Sequence, residues 1–297
     1  MKKSNYHIVA ELGKGSFGTI YKCLDKNTNK EYALKVESTH VKNVEGQLKQ
    51  EYDIYKQFKD TIYKNRDIKN NIIYWPRVYD YGHQKNGNKI LVMDLFGDNL
   101  ENIFRKNNRF STDTILYLAK NMILSLKIFH SKGFIHRDLK PQNFVVDLHS
   151  PNIYLIDYGL AKKINTTYSY NRSLKGTVRY ASINTHLGVE QSFRDDLHSV
   201  AYILLYFSLG KLPWQIISQK FLDKNEGYKR ILVEKMSIRI EELVKKLDKP
   251  LQEPMMIFMF YLLSLNFTDI PDYDYCLSLF TPKNKIDENL LKRELNC

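Results

Sequence analysis

The sequence FIHRDLKPQNF, residues 134–144, places an acid, a lysine and an amide on one short segment. The carboxylate of Asp138 can accept the proton of a substrate hydroxyl, and Lys140 can neutralise a phosphoryl group during its transfer. The amide oxygen of Asn143 can coordinate magnesium. A polar loop that turns at Pro141 would leave the acid and the amide unexplained. The segment therefore predicts a phosphoryl-transfer site.

A second acidic position follows in IYLIDYGLAKK, residues 153–163. A strand delivers Asp157, which is followed by Tyr158 and Gly159. A carboxylate oxygen is a hard ligand of the kind that magnesium prefers. We expect Asp157 and Asn143 to be the metal ligands of a site that binds ATP and Mg²⁺.

A buried ion pair is predicted upstream of these segments. Lys35 lies in EYALKVES, which has the alternation of a strand, and Glu51 lies on a predicted helix near Leu48 and Tyr55. A carboxylate at the edge of an apolar helix face requires a cationic partner, and Lys35 is the natural candidate. The pair resembles the arrangement in protein kinases, and the resemblance implies that the lysine contacts the α- and β-phosphates of a nucleotide.

The glycine-rich segment GKGSFGTI contributes Gly13, Gly15 and Gly18. It lies between two predicted strands, which is not the strand-to-helix setting of a dinucleotide-binding fold. Taken alone, the segment is equally compatible with a flexible hairpin. Without side chains, its backbone N–H groups can approach a triphosphate closely.

The pattern of elements changes near Gly97. Before it, strands at residues 6–12, 19–25, 31–38, 77–82 and 89–95 and a helix at 44–58 predict a small, mostly antiparallel sheet with one helix. After it, helices are predicted around 115–129, capped by Ser111 or Thr112, and over 193–209. The run Met255–Leu265 is too short to span a membrane and predicts a buried helix.

Composition and charge limit the class of protein. With 43% hydrophobic residues in 297, a disordered or fibrous chain is excluded. The net charge of +12 predicts anionic partners without choosing among nucleic acid, nucleotides, acidic proteins and membrane surfaces. Three widely spaced cysteines and the lack of a signal-peptide-like N-terminus predict a reducing compartment, cytoplasmic or nuclear.

The segment GTVRYASINTHLGVEQSFRDDLHSVAYILLYFSLGKLPWQ, residues 176–215, resembles the casein kinase I family of protein kinases. That family carries S-I-N where most kinases carry A-P-E, here Ser182, Ile183 and Asn184. The spans VMDLFGDNLENIF and FTDIPDYDYCLSLF are also similar to it, and the kinase resemblance covers residues 6 to about 280. Lys140 is characteristic of the serine/threonine branch.

The resemblance implies a fold and an activity. The fold is α+β and two-lobed, in one kinase domain over residues 1–297, with an N-lobe over about 1–95, a hinge at about 94–98 and a C-lobe over about 98–297. The activity is transfer of the γ-phosphate of ATP to serine or threonine, by a protein expected to be a monomer. The extended tail of the family does not follow the domain, so we expect no regulation by such a tail.

The resemblance also implies an adenine pocket. Met93 is the gatekeeper, and the backbone of Asp94 and Phe96 contacts adenine. The other lining residues are Leu12, Ile20, Ala33 and Ile156. Asp196 would brace the catalytic loop from the start of a buried helix, although a helix-start carboxylate is also favoured by the helix dipole.

Members of the resembled family often prefer acidic or phosphorylated substrates. Arg179 matches the central arginine of their anion site, and Lys175 and Lys224 are candidate helpers. The segment between Lys163 and Gly176 is shorter than usual, and Gly227 stands where the family has a lysine. A solvated lysine-rich face is the alternative interpretation of these positions.

Three other functions remain open. A pseudokinase would keep the fold without phosphoryl transfer, although every charged group that transfer needs is present. A nucleic-acid-binding protein fits the charge and the 21 tyrosines, but no stacking platform or helix-turn-helix pattern accompanies them. The related vaccinia-related kinases share several departures from the common kinase pattern, whereas SINTHLG and LPWQ favour casein kinase I.

Overall fold

The computed structural model describes residues 5–15, 18–37, 46–65, 71–84, 86–165, 167–170, 172–215, 224–282 and 284–297. Side chains at 63–65, 71–74 and 224 are outside this description. The chain divides into two units. Unit 1 comprises Met1–Gly97 and Ile156–Gly159, and unit 2 comprises Asp98–Leu155 and Leu160–Cys297.

Unit 1 is built on a five-stranded antiparallel sheet in the order β1-β2-β3-β7-β6. A separate hairpin pairs β4 with β5. The strands are β1 (Tyr6–Gly15), β2 (Gly18–Asp25), β3 (Glu31–Glu37), β4 (Ile62–Asn65), β5 (Asn71–Tyr74), β6 (Val78–His83) and β7 (Lys89–Met93). The predicted small antiparallel sheet is confirmed. The β4–β5 hairpin was not predicted, because neither IYKN nor NIIY shows the alternation of a half-buried strand.

One helix, α1 (Gln47–Gln57), belongs to this unit. Leu48, Ile54 and Tyr55 are buried, and the Phe58 ring stacks on Trp75 with ring centroids 4.5 Å apart. The predicted helix began at Val44, which lies outside the described residues. The apolar spacing therefore identified the buried face of α1 correctly.

Unit 2 is mainly helical. Its helices are α2 (Leu100–Asn107), α3 (Thr112–Ser131), α4 (Ile183–His186), α5 (Phe193–Leu209), α6 (Lys224–Ser237), α7 (Ile240–Val244), α8 (Lys249–Ser264), α9 (Tyr273–Leu279) and α10 (Glu288–Leu295). Two short antiparallel pairs join β8 (Phe134–Ile135) to β11 (Lys162–Lys163) and β9 (Phe144–Val146) to β10 (Ile153–Leu155). Because β8 and β9 flank residues 136–143, these pairs fix both ends of that loop.

Helices α3 and α5 form the centre of unit 2. The Ser111 side chain caps α3 by accepting from the backbone N–H of Thr114, as predicted. Helix α5 is buried from Asp195 to Phe207 without a break, and it ends at Gly210 in the left-handed region. The predicted helix that is buried on every side is confirmed.

The apolar run Met255–Leu265 belongs to α8, but burial along it differs from the prediction. Met255, Phe258 and Leu262 are buried, whereas Phe260 is 43% and Leu263 is 55% exposed. One face of the helix packs inward and the opposite face meets solvent, so the predicted buried helix is buried on one face only. None of the helices within the described residues has the length and apolarity that crossing a membrane requires.

Candidate active site

A three-residue charge cluster in unit 1 is centred on Lys35. Its Nζ lies 2.7 Å from Oε2 of Glu51 and 2.7 Å from Oδ1 of Asp157. Lys35 and Glu51 are both buried, with 7% and 1% exposure. Burial lowers the pKa of Lys35, but the two carboxylates outweigh burial and raise it, so the lysine is charged. Burial and the Asp157 charge raise the pKa of Glu51, against the opposing effect of Lys35.

The strand register places the predicted pocket residues of the sheet on one face. Ile20 pairs with Lys35, and Ala33 pairs with Met93. Directly paired residues, and residues two apart on one strand, share a face. Leu12 lies at a register irregularity of β1 and is 51% exposed. Lys35 therefore shares its face of the sheet with three of the residues expected to contact adenine.

The predicted glycines end β1 and begin β2, with Gly15 paired to Gly18 and Gly13 to Ile20. A Cβ on Gly18 would overlap the carbonyl oxygen of Val36, whereas a Cβ on Gly13 would meet nothing within 4 Å. Gly18 is therefore required by the approach of β2 to the end of β3. The intervening residues 16 and 17 are outside the described part of the chain.

Asp94 follows β7, and its side chain is bonded on both oxygens. Oδ2 accepts from the backbone N–H of Arg77 at 2.8 Å, and Oδ1 accepts from the Tyr79 hydroxyl at 2.6 Å. The backbone N–H of Asp94 donates to the Arg77 carbonyl at 3.0 Å. These bonds tie the segment after β7 to β6. Phe96, two residues further, is half-buried.

The Asp138 carboxylate in unit 2 is held by two side chains. Lys140 Nζ lies 2.6 Å from Oδ2, and the Thr177 hydroxyl donates to Oδ1 at 2.7 Å. The Asn143 amide nitrogen donates to the Asp138 carbonyl at 2.8 Å, which leaves its amide oxygen as the atom that can coordinate a metal. Asp138 is 6% exposed. The structure thus brings together the three predicted residues of this loop and adds Thr177.

The backbone before Asp138 is fixed by Asp196 at the start of α5. Its Oδ2 accepts from the N–H of His136 at 2.7 Å, and its Oδ1 accepts from the N–H of Arg137 at 2.9 Å. His130 Nε2 lies 2.9 Å from Oδ2. Burial would raise the pKa of Asp196, but its contacts with His130 and His136 outweigh burial and lower it. Asp196 therefore braces this loop as an ionised carboxylate.

Two residues of the candidate site have left-handed backbone without being glycine. Arg137 has φ 68° and Asp157 has φ 67°. This region is costly for side chains with a Cβ, and such strain concentrates at functional positions. The bonds from Asp196 hold Arg137 in this conformation.

Gly176 also lies close to the backbone of this loop. It has φ 93°, and a Cβ at this position would overlap the carbonyl oxygen of Arg137. Gly210, at the end of α5, has φ 78° but open space around its Cβ position. Both glycines have left-handed backbone, but only Gly176 has another atom too close to the position of a Cβ.

We expect Gly176→Ala to lower the free energy of unfolding by about 3 kcal/mol or more, because steric overlap adds to the left-handed cost of about 1–2 kcal/mol. Gly210→Ala is expected to lower the free energy of unfolding only by the cost of the left-handed backbone. Urea unfolding of both variants measures the difference. Equal losses would show that the Arg137 carbonyl moves aside without cost.

Of the three residues predicted for an anion site, Lys175 and Arg179 have side chains that the structure describes. Lys175 lines an open pocket together with Arg137, Lys162 and Arg172. In that pocket Glu190 pairs with Lys162 at 3.0 Å and with Arg172 at 2.9 Å. Arg179 is not part of this lining; its guanidinium lies over the rings of Tyr180 and Tyr206. Lys224 begins α6, and its side chain lies outside the description.

Two contributors to the site were not predicted. Thr177 carries no charge and follows a glycine, so the residues around it did not predict a contact with Asp138. Glu190 was one acid among 33, and its three bonded neighbours come from distant positions. Side chains that support a site through long-range contacts leave no local pattern.

The fold and these residue sets define a protein kinase, and the family model for the protein kinase domain matches residues 6–272. A probable casein kinase I homolog from Encephalitozoon cuniculi (strain GB-M1) is 38% identical over 288 residues. The match covers 93% of this chain and 88% of the relative. The chain therefore belongs to the casein kinase I family of serine/threonine protein kinases, and its fold is the two-lobed kinase fold predicted from sequence.

Proposed function

We propose that this kinase transfers the γ-phosphate of ATP to serine or threonine hydroxyls through two sets of residues that act on one nucleotide. Lys35, oriented by Glu51, contacts the α- and β-phosphates. Asp138 accepts the proton of the substrate hydroxyl, and Lys140 neutralises the phosphoryl group during transfer. The observation that carries the proposal is the bonding of both Asp138 carboxylate oxygens, which orients the carboxylate before substrate arrives.

A magnesium ion fits the donors that the chain offers. Asp157 supplies a carboxylate that is already oriented by Lys35, and Asn143 supplies an amide oxygen. When bound, the ion would neutralise charge on the β- and γ-phosphates. Oxygen ligands suit magnesium, and within the described residues no group of three or more His, Cys, Asp and Glu side chains forms a separate metal site.

The sheet face that carries Lys35 is the proposed lining of the nucleotide pocket. Ile20, Ala33 and Met93 share that face, which supports their proposed contact with adenine. We assign the remaining contacts to the side chains of Leu12 and Ile156 and to the backbone of Asp94 and Phe96. Gly13, Gly15 and Gly18 would offer backbone N–H groups to the phosphates.

We also propose one kinase domain over residues 1–297, with an N-lobe over about 1–95, a hinge near 94–98 and a C-lobe over about 98–297. The three cysteines are free, which supports a reducing cellular compartment, cytoplasmic or nuclear.

We propose a monomer as the oligomeric state of the protein. Sedimentation at micromolar protein concentration tests this proposal.

The proposed substrates carry acidic or phosphorylated side chains near the acceptor. Arg179, with Lys175 and Lys224, would attract the upstream anion. On a peptide array, a phosphoserine three residues before the acceptor is expected to raise kcat/KM by about tenfold, the effect of about 1.4 kcal/mol of binding energy.

Arg179→Gln is expected to abolish this preference, whereas Arg239→Gln, which changes an exposed arginine that pairs with Glu242, should retain it. The unprimed peptides report general activity in the same experiment. Equal rates on primed and unprimed peptides with the wild-type protein would remove the substrate preference and leave the kinase activity untouched.

A further inference from the structure

Lys235 is a lysine on α6 whose side chain is buried. It is 5% exposed, and no carboxylate lies within ion-pair distance of it among the residues that the structure describes. Burial lowers its pKa well below the usual value. An apolar side chain would fill this space without the cost of desolvating an amine. A lysine at this position therefore needs favourable contacts of its amine that offset the cost of desolvation.

The amine donates to the backbone of one turn. Lys235 Nζ lies 2.6 Å from the carbonyl oxygen of Ala181 and 3.0 Å from that of Val178. His186 Nε2 lies 3.2 Å from Nζ and 3.3 Å from the Val178 carbonyl oxygen. It accepts from the amine when its proton is on Nδ1 and donates to Val178 when its proton is on Nε2. In the first tautomer, three acceptors match the three N–H groups of an ammonium ion.

Two aromatic rings line the same site. The ring centroid of Tyr202 lies 4.8 Å from Nζ, and that of Trp214 lies 5.1 Å from it. Ring faces at these distances attract a cation. The rings and the carbonyl oxygens therefore offset part of the desolvation that lowers the pKa of Lys235.

The segment that Lys235 holds, residues 177–181, is here named the Thr177 turn. The N–H groups of Tyr180 and Ala181 donate to the Thr177 carbonyl at 2.9 and 3.1 Å, so the turn is closed on itself. Trp214 Nε1 donates to the Arg179 carbonyl at 2.8 Å. Lys235 and Trp214 thus bond three of the turn's carbonyl groups.

The first residue of the turn reaches the proposed catalytic carboxylate. The Thr177 hydroxyl donates to Asp138 Oδ1 at 2.7 Å. A displacement of the turn would move this hydroxyl and release one of the two bonds that orient Asp138. The path from α6 to the carboxylate therefore runs through the hydrogen bonds of Lys235, the backbone of the turn and the hydrogen bond of Thr177.

We propose that Lys235 is a positioning residue of the phosphoryl transfer, which fixes the Thr177 turn and, through Thr177, the orientation of the Asp138 carboxylate. The inference rests on the proposed role of Asp138. It assigns to α6 a part in catalysis that does not require contact with nucleotide or substrate.

The test compares Lys235→Met with wild type in steady-state transfer from magnesium-ATP to a serine peptide. We expect kcat to fall about 30-fold, the rate equivalent of the loss of one oriented hydrogen bond, with the KM for ATP changed less than twofold. Lys229→Met, an exposed lysine on the same helix, is the control and should keep wild-type kcat. Full kcat in Lys235→Met would overturn the proposal.

Coupling to Thr177 separates positioning from general support of the fold. If Lys235 acts through Thr177, the substitution Lys235→Met should have little further effect on kcat in a Thr177→Val background. An equal fold loss in both backgrounds would show that Lys235 acts by another path and would overturn the proposal.

A second variant keeps the proposal testable if Lys235→Met does not fold. Trp214→Phe retains a ring beside Tyr202 but removes the donor to the Arg179 carbonyl, and it is expected to lower kcat in the same Thr177-dependent way. Wild-type kcat in this variant would overturn the proposal. Asp138→Asn is measured in the same series: activity there would overturn the proposed function, whereas an inactive Asp138→Asn beside a fully active Lys235→Met overturns the inference alone.

Discussion

Asp138→Asn is expected to lower kcat by about 10³-fold, within the range that general acid–base catalysis contributes. The substitution retains the shape of the side chain and an oxygen that can accept from Thr177. It removes the negative charge that attracts Lys140 at 2.6 Å and the basic oxygen that takes the hydroxyl proton. Transfer of radiolabelled phosphate from ATP to casein measures the loss.

Binding of nucleotide should survive this change, because the proposed phosphate contact of Lys35 is untouched. Thermal stabilisation by magnesium-ATP is therefore expected to equal that of wild type. Asp274→Asn is the matched control, since this carboxylate is 79% exposed and pairs with Lys127 on the surface. Equal phosphate incorporation by wild type and Asp138→Asn would favour the pseudokinase alternative.

Lys35→Met is expected to affect both catalysis and stability. Loss of the phosphate contact should lower kcat/KM by about 10²–10³-fold, as for other preorganised charge-stabilising donors. The substitution also leaves the Glu51 and Asp157 carboxylates without the cation they share at 2.7 Å. Removal of one partner from a buried pair costs about 3–5 kcal/mol, which urea unfolding would measure.

A double variant separates these two effects. Lys35→Met combined with Glu51→Gln should regain at least about 1 kcal/mol relative to Lys35→Met, because the uncompensated buried charge is gone, yet it should regain no activity. Lys22→Met is the control on the neighbouring strand: its pair with Glu31 is partly exposed and should contribute less than about 1 kcal/mol. A double variant as unstable as the single one would contradict a charge-based cause.

The strands and long helices could be predicted because their patterns are local. Strand β3 reads EYALKVE, and α5 is apolar almost throughout after its charged start, so burial could be inferred from neighbouring residues alone. The exposed face of α8 could not be predicted, because Phe260 and Leu263 are apolar and only their packing shows that solvent reaches them.

The candidate site likewise contains residues that could be predicted from sequence and residues that could not. Lys35, Asp138, Lys140, Asn143 and Asp157 could be named from sequence, since each chemical role demands a particular residue type. Thr177 and Lys235 could not be named, because a hydroxyl and one lysine among 45 basic residues acquire their roles through contacts with distant positions. The left-handed backbone of Arg137 and Asp157 could not be predicted either, since neither arginine nor aspartate requires that conformation.

By itself, the sequence determined the class of fold, the family and the residue types that phosphoryl transfer needs, because spacing along the chain and side-chain chemistry are local properties. Tertiary structure alone decided how those groups are oriented: which carbonyl groups the buried amine of Lys235 holds, which hydroxyl reaches Asp138, and which glycine must lack a Cβ. The physical reason is that hydrogen bonds and steric overlap act over a few ångströms in space, whatever the separation along the chain.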